Sequence, residues 1–279
     1  MGTELQRRGA DTSLPLWSAR ALIVDPGLVG TIHRDEAAAG ADVLTANAFR
    51  THARSLARCG AGKRSAELSA LAVRLADEAA AVPGRDIFVA GSLSPLEDCY
   101  RPDLVPDDAA LEREHGAQAR SLADAGVDLL LAETHNTVRE AAAAARAARA
   151  TGLPFVVALV TDGAGRLLSG EPIAAAVEAL LPFEPDAIGV NCVPAGKLAG
   201  DLALLASATP GVALAAYGNL GLPAAGPGWR FTDPLDPEEY AREAARWVGL
   251  GARIVGGCCG TTPAHTRALR AAIDARSAT

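Results

Sequence analysis

The stretch VDLLLAETHNTVREAAAAARAARATGLPFVVALV, Val127 to Val160, decides the fold. It opens on an apolar run (Val127 to Glu133), crosses an alanine- and arginine-rich segment (Thr137 to Ala150), and enters a second apolar run (Pro154 to Val160). Short runs without polar alternation fit strands buried on both faces, as in parallel sheets covered by helices. Gly152, between helix and second strand, suits the left-handed residue that ends many helices. The stretch therefore reads as a strand, a crossover helix and a parallel strand.

The same order extends in both directions. Further strand runs are Asp42 to Asn47, Asp86 to Gly91, Asp186 to Asn191, Val212 to Tyr217 and Arg253 to Gly257. Helical stretches are Ser18–Ala39, Lys63–Ala81, Asp107–Ala125, Ile173–Leu181, Gly196–Ala206, Pro237–Leu250 and Pro263–Ala275. Gly40, Gly126 and Gly251 close three of them. No composition shift or linker divides the chain, so residues 1–279 read as one domain. A closed (β/α)₈ TIM barrel needs eight strands. Seven are found, and residues 1–17 hold no strand-like run, so the expectation is a barrel lacking its first strand at the N-terminus.

Hydrophobic residues make up 49% and charged residues 21%, values of an ordinary globular protein. The net charge of −7 argues against nucleic acid as the main partner. No apolar run nears the roughly 20 residues that span a bilayer, so no membrane association is expected. Nothing at the N-terminus resembles an export signal, and a cytoplasmic enzyme is the simplest expectation. The sequence carries no signal for oligomeric state. Five cysteines, an odd number in such a chain, point to reduced thiols with metal or catalytic roles more than to a disulfide framework.

Chemistry in such barrels sits at the C-terminal ends of the strands. Here those ends read Asn47, Gly91-Ser92, Glu133-Thr134, Asn191-Cys192, Tyr217-Gly218-Asn219 and Gly257-Cys258-Cys259. Cys258 and Cys259 are neighbours, with Cα atoms about 3.8 Å apart, too close for a relaxed mutual disulfide. With Gly256, Gly257 and Gly260 around them, both sulfurs can turn toward one ion, and Cys192 can supply a third across the mouth. Three thiolates and an open position suit a catalytic Zn²⁺ site. The blander alternative is buried cysteines acting as small apolar side chains. A phosphate-binding loop before the helix at Pro263 is a further alternative, although it gains nothing from two thiols. Glu133, closing an apolar strand, suits a substrate ammonium or a structural arginine. The histidines (His33, His52, His115, His135, His265) show no ligand spacing, and none is assigned a ligand role.

The string Gly256-Gly257-Cys258-Cys259-Gly260-Thr261-Thr262-Pro263-Ala264-His265 resembles the C-terminal signature of the homocysteine S-methyltransferase family. So do Val190-Asn191-Cys192, Leu131-Ala132-Glu133-Thr134 and Ala41-Asp42-Val43-Leu44-Thr45-Ala46-Asn47. Met1-Gly2-Thr3-Glu4-Leu5 and Leu16-Trp17-Ser18-Ala19 are similar to the short members that use S-methylmethionine. The resemblance covers essentially the whole chain. It implies a (β/α)₈ barrel, Zn²⁺ held by Cys192, Cys258 and Cys259, and homocysteine as methyl acceptor, giving methionine. Glu133 matches the glutamate that binds the homocysteine amino group. Asn47 and Thr134 are expected to line the pocket and Tyr217 to face the donor. A thiolate-rich site favours a cationic donor, S-methylmethionine or S-adenosylmethionine. Betaine is the alternative, although its quaternary ammonium wants an aromatic cage and the chain is 4% aromatic. An incomplete, non-catalytic barrel that binds zinc or ligand is the reading from another class. Two departures stand out. The family strand ending Asp-Gly does not precede Met1, and His135-Asn136 replaces an apolar residue and a proline. Cys59 and Cys99 fall outside the matched motifs and are expected to be spectators.

Overall fold

A computed structural model describes residues 1–223, 229–230 and 235–277. Seven strands form one sheet in which sequence neighbours are spatial neighbours: β1 Val43–Thr45, β2 Phe88–Leu93, β3 Leu129–His135, β4 Phe155–Leu159, β5 Ala187–Pro194, β6 Ala213–Asn219 and β7 Ala252–Gly257. Every pairing between them is parallel. All seven predicted runs are strands, displaced by a few residues at their ends. A separate two-residue ribbon pairs Leu222–Pro223 with Trp229–Arg230.

The principal helices between the strands are α1 Gly2–Arg7, α2 Arg20–Val24, α3 Pro26–Ala38, α4 Ala53–Ala57, α5 Ser65–Ala80, α6 Asp108–Asp124, α7 Val138–Arg149, α8 Ile173–Leu180, α9 Ala195–Ala208, α10 Pro237–Gly249 and α11 Pro263–Ser277. The helix expected over Ser18–Ala39 is broken. Asp25 leaves helical geometry at φ −149° and its carboxylate accepts the Leu28 N–H at 3.1 Å, capping α3. Pro26 supplies the first residue of α3, a position that needs no N–H. No helix among the described residues is long and apolar enough to cross a membrane.

The sheet has two apolar faces. Leu129, Leu131, Val156, Ala187, Ala213 and Ala215 form a cluster made of strand residues alone. Leu130, Ala132, Val157 and Ile188 instead join the larger core beneath the helices, with Leu122 of α6 and Ala144 of α7. The polyalanine stretch of α7 serves this layer, its small side chains allowing a close approach to the sheet. Among the described residues no strand connects β1 to β7, so the fold is a seven-stranded, barrel-like parallel α/β structure without an eighth strand. Side chains bridge that edge: the Arg270 guanidinium meets Asp42 at 2.7 Å, and the Thr266 hydroxyl donates to Glu36 at 2.7 Å. Arg7 of α1 reaches the carbonyls of Gly260 and Thr261, and the Gly260 N–H donates to Thr3 Oγ1 at 2.9 Å.

Candidate metal centre

The last two cysteines sit where β7 ends, in a loop tied on both sides. The Cys258 N–H donates to the Gly218 carbonyl at 2.9 Å, and the Cys259 carbonyl accepts the Leu220 N–H at 2.8 Å. The Thr261 hydroxyl donates to the Cys258 carbonyl at 2.8 Å. Gly260 holds φ +91°, and a Cβ there would overlap the Leu220 carbonyl, so the turn requires glycine. Tyr240 of α10 fastens the neighbouring strand ends, its hydroxyl lying 2.9 Å from the Gly218 carbonyl and 2.8 Å from that of Gly256.

Cys192 comes from the other side of the mouth. It lies in β5 at φ +52°, inside an irregularity of the β5–β6 register between Asn191 and Pro194. Regular alternation would put it on the helix-facing side with Ile188 and Val190. The left-handed backbone instead carries its sulfur to Cys258 and to the Thr134 hydroxyl, 3.9 Å away. The sulfurs of Cys192, Cys258 and Cys259 all lie within 4.8 Å of one another. Cys192 and Cys258 are joined as a disulfide, with Cα atoms 5.7 Å apart. The expectation of reduced thiols did not include this pairing: β5 and β7 bring two sequence-distant cysteines together, beside the third. Cys259 is a free thiol, pushed up to about 11 by burial.

Glu133 and Thr134 share a second irregularity, between Ala132 and His135 of β3. Thr134 holds φ +66°, which costs a β-branched residue roughly 1–2 kcal/mol. Asn191 clamps it: its amide donates to Thr134 Oγ1 at 2.7 Å and its carbonyl oxygen accepts the Thr134 N–H at 3.0 Å. Asn191 and Thr134 are both buried. Glu133 accepts the Ser92 hydroxyl at 2.6 Å, with Tyr217 beside it. Burial pushes its carboxyl up to about 6, partly opposed by the Ser92 bond. Burial and this carboxylate together hold the Tyr217 phenol well above its usual range.

Asn47 follows β1; its amide donates to the Ser18 carbonyl at 2.9 Å, while its Oδ1 meets no donor among the described residues. Ser92, Asn191 and Asn219, placed on the rim as strand-end residues but assigned no role by sequence, also work in the site. Asn219 donates to the Cys192 carbonyl at 3.0 Å. Their signal was a polar side chain closing an apolar run. Cys59 is exposed, and Cys99 is buried with its thiol pushed up to about 12. Among the histidines, His115 and His135 lie together with Glu140, away from the sulfurs, a grouping that spacing did not reveal.

Residues 1–273 match the family model described as homocysteine S-methyltransferase. The chain belongs to the homocysteine S-methyltransferase family. It is 32% identical over 292 residues to a methionine synthase of Mycobacterium tuberculosis, covering 98% of this chain but 24% of that protein. The chain thus spans about a quarter of that relative. It is 29% identical over 305 residues to Homocysteine S-methyltransferase 1 of Zea mays, covering 99% of this chain and 93% of the relative. The Escherichia coli homocysteine methyltransferase MmuM superposes with a TM-score of 0.84 in its oxidised form, at 29% identity, and 0.82 in its metallated form, at 30% identity. Each comparison covers 97% of this chain and 93% of the other. A metallated relative and a cluster of three sulfurs together indicate a metal site in this fold.

Proposed function

We propose that this chain, as a single barrel domain, transfers a methyl group from a small sulfonium to the thiol of homocysteine, giving methionine, at a zinc site made by reduced Cys192, Cys258 and Cys259. The observation that carries the reading is the convergence of three sulfurs within 4.8 Å at the strand ends. Their softness suits zinc, and three protein ligands leave a position for a substrate thiol. When bound, zinc supplies a deprotonated, directed acceptor sulfur, because a free thiol titrates near 8.5.

The chain's own residues do the rest. Glu133, once ionised, accepts the homocysteine ammonium, and the Ser92 hydroxyl fixes which way its carboxylate faces. Asn191 holds Thr134 so that its hydroxyl faces the Cys192 sulfur. Tyr217 stands beside Glu133 with its phenol neutral, toward the donor, and Asn47 lines the pocket with its unpartnered oxygen. Thiolates and Glu133 make the mouth negative, which favours S-methylmethionine or S-adenosylmethionine. In the donor step the methyl–sulfur bond of the sulfonium breaks as the bond to homocysteine sulfur forms, leaving a neutral thioether.

The test uses reduced, zinc-loaded protein with homocysteine and each sulfonium in turn, and methionine as readout. Activity that survives chelation, or a Cys258→Ser variant with full activity, would refute the thiolate mechanism.

A further inference from the structure

Behind β3, three ligand-type side chains meet from three elements: His115 of α6, His135 of β3 and Glu140 in the first turn of α7. Each is fully buried, and one nitrogen or oxygen from each lies within 4.8 Å of the others. The hydrogen bonds define what remains free. His135 Nε2 is 3.2 Å from the Leu93 carbonyl, which only accepts, so that nitrogen carries the proton. His115 Nε2 is 3.2 Å from Glu140 Oε1, which also accepts the Leu96 N–H at 2.8 Å. His135 Nδ1, His115 Nδ1 and Glu140 Oε2 have no hydrogen-bond partner among the described residues.

Burial keeps His135 neutral, lowering it to about 4, so its Nδ1 is a bare lone pair. Burial opposes the charge on Glu140, but the hydrogen bonds from His115 and the Leu96 N–H hold its carboxyl below the usual carboxylate range. Leu96, Leu111 of α6 and Ala143 of α7, drawn from the same segments, form a small apolar cluster. Two imidazoles and one carboxylate, with a ring N–H anchored on a backbone carbonyl, make a ligand set with its supporting bond already in place.

We propose that His115, His135 and Glu140 form a second metal site, separate from the cysteines, for one divalent ion of the zinc, cobalt or iron class. Its place suits a structural ion that fastens α6 and α7 to the end of β3, two residues beyond Glu133.

Cobalt is the probe. Reduced wild-type protein is expected to take up two equivalents per chain. The Cys192→Ser/Cys258→Ser/Cys259→Ser variant should keep one, with visible d–d bands but no sulfur-to-cobalt charge transfer. Adding Glu140→Gln to that variant, with far-UV circular dichroism to check folding, should reduce uptake to near zero. A triple-serine variant that binds no cobalt would overturn the proposal and leave the trio as a buried, hydrogen-bonded His115–Glu140 pair. Uptake unchanged by Glu140→Gln would overturn it too. Should the triple variant fail to fold, the wild-type stoichiometry decides alone, and one equivalent counts against the site.

Discussion

Glu133→Gln separates what this carboxylate contributes to acceptor binding from what it costs the fold. The carboxyl titrates at about 6 in the folded protein against an ordinary 4.5. That difference corresponds to about 2 kcal/mol. Because the folded value lies above the unfolded one, the folded state binds the proton more tightly. The protonated form carries no penalty, so stability is full below pH 4.5, falls as pH rises toward 6, and is lower by the whole amount above that. Glutamine keeps an oxygen for the Ser92 hydroxyl and carries no charge, so the variant lacks this pH-dependent loss.

The reduced, metal-free proteins should therefore differ more at pH 8 than at pH 4.5, in favour of Glu133→Gln. A change of about 2 kcal/mol amounts to roughly 4–8 °C in melting temperature for a chain of this size. Activity should move the other way. Losing a charge-assisted bond to the ammonium costs about 1.5–3 kcal/mol, or roughly a 10- to 150-fold rise in KM for homocysteine. Thermal melts of both proteins at the two pH values supply the test. A variant less stable than wild type at pH 8, or a gap that ignores pH, would refute the reasoning.

Three further outcomes are expected. Asn191→Ala strands the buried Thr134 N–H and hydroxyl and should cost about 2–4 kcal/mol in urea unfolding, with weaker metal retention against a chelator. Less than about 0.5 kcal/mol would mean the clamp is idle. Gly260→Ala places a Cβ against the Leu220 carbonyl at φ +91° and should cost at least about 2 kcal/mol while displacing the Cys258-Cys259 loop, read as lost metal affinity. Thiol titration after unfolding should count Cys59, Cys99 and Cys259 only in metal-free, oxidised protein, and all five cysteines after reduction.

The strands were legible because each is a continuous apolar run, and the rim followed because their ends are polar. The break at Asp25-Pro26 was written in the sequence as a cap and a first-turn proline, but the helical period runs through it and concealed it. The three cysteines could be brought together from strand ends alone. Their oxidation pattern could not, because the Cys192–Cys258 pairing spans 66 residues and depends on how β5 and β7 end in space. The His115, His135 and Glu140 group was illegible for a related reason. Its members come from a helix, a strand and a helix, so no local period relates them.

One backbone irregularity links the two clusters. In a regular strand Glu133 and His135 would share a face, two residues apart. Leu129 and Leu131 set that face as the strand-only interior, and Glu133 follows them toward Ser92 and Tyr217. The left-handed Thr134 then shifts the alternation by one, and His135 turns out among the helices to meet His115 and Glu140. A bulge that only relieved strain could have been smoothed by substitution. This one is held by two buried hydrogen bonds from Asn191, the residue that also precedes Cys192. The same side chain thus ties the left-handed turn of β3 to that of β5. The sulfur position, the Glu133 carboxylate and the orientation of His135 all depend on that link, so the strain at Thr134 and Cys192 is retained where the chemistry is assembled.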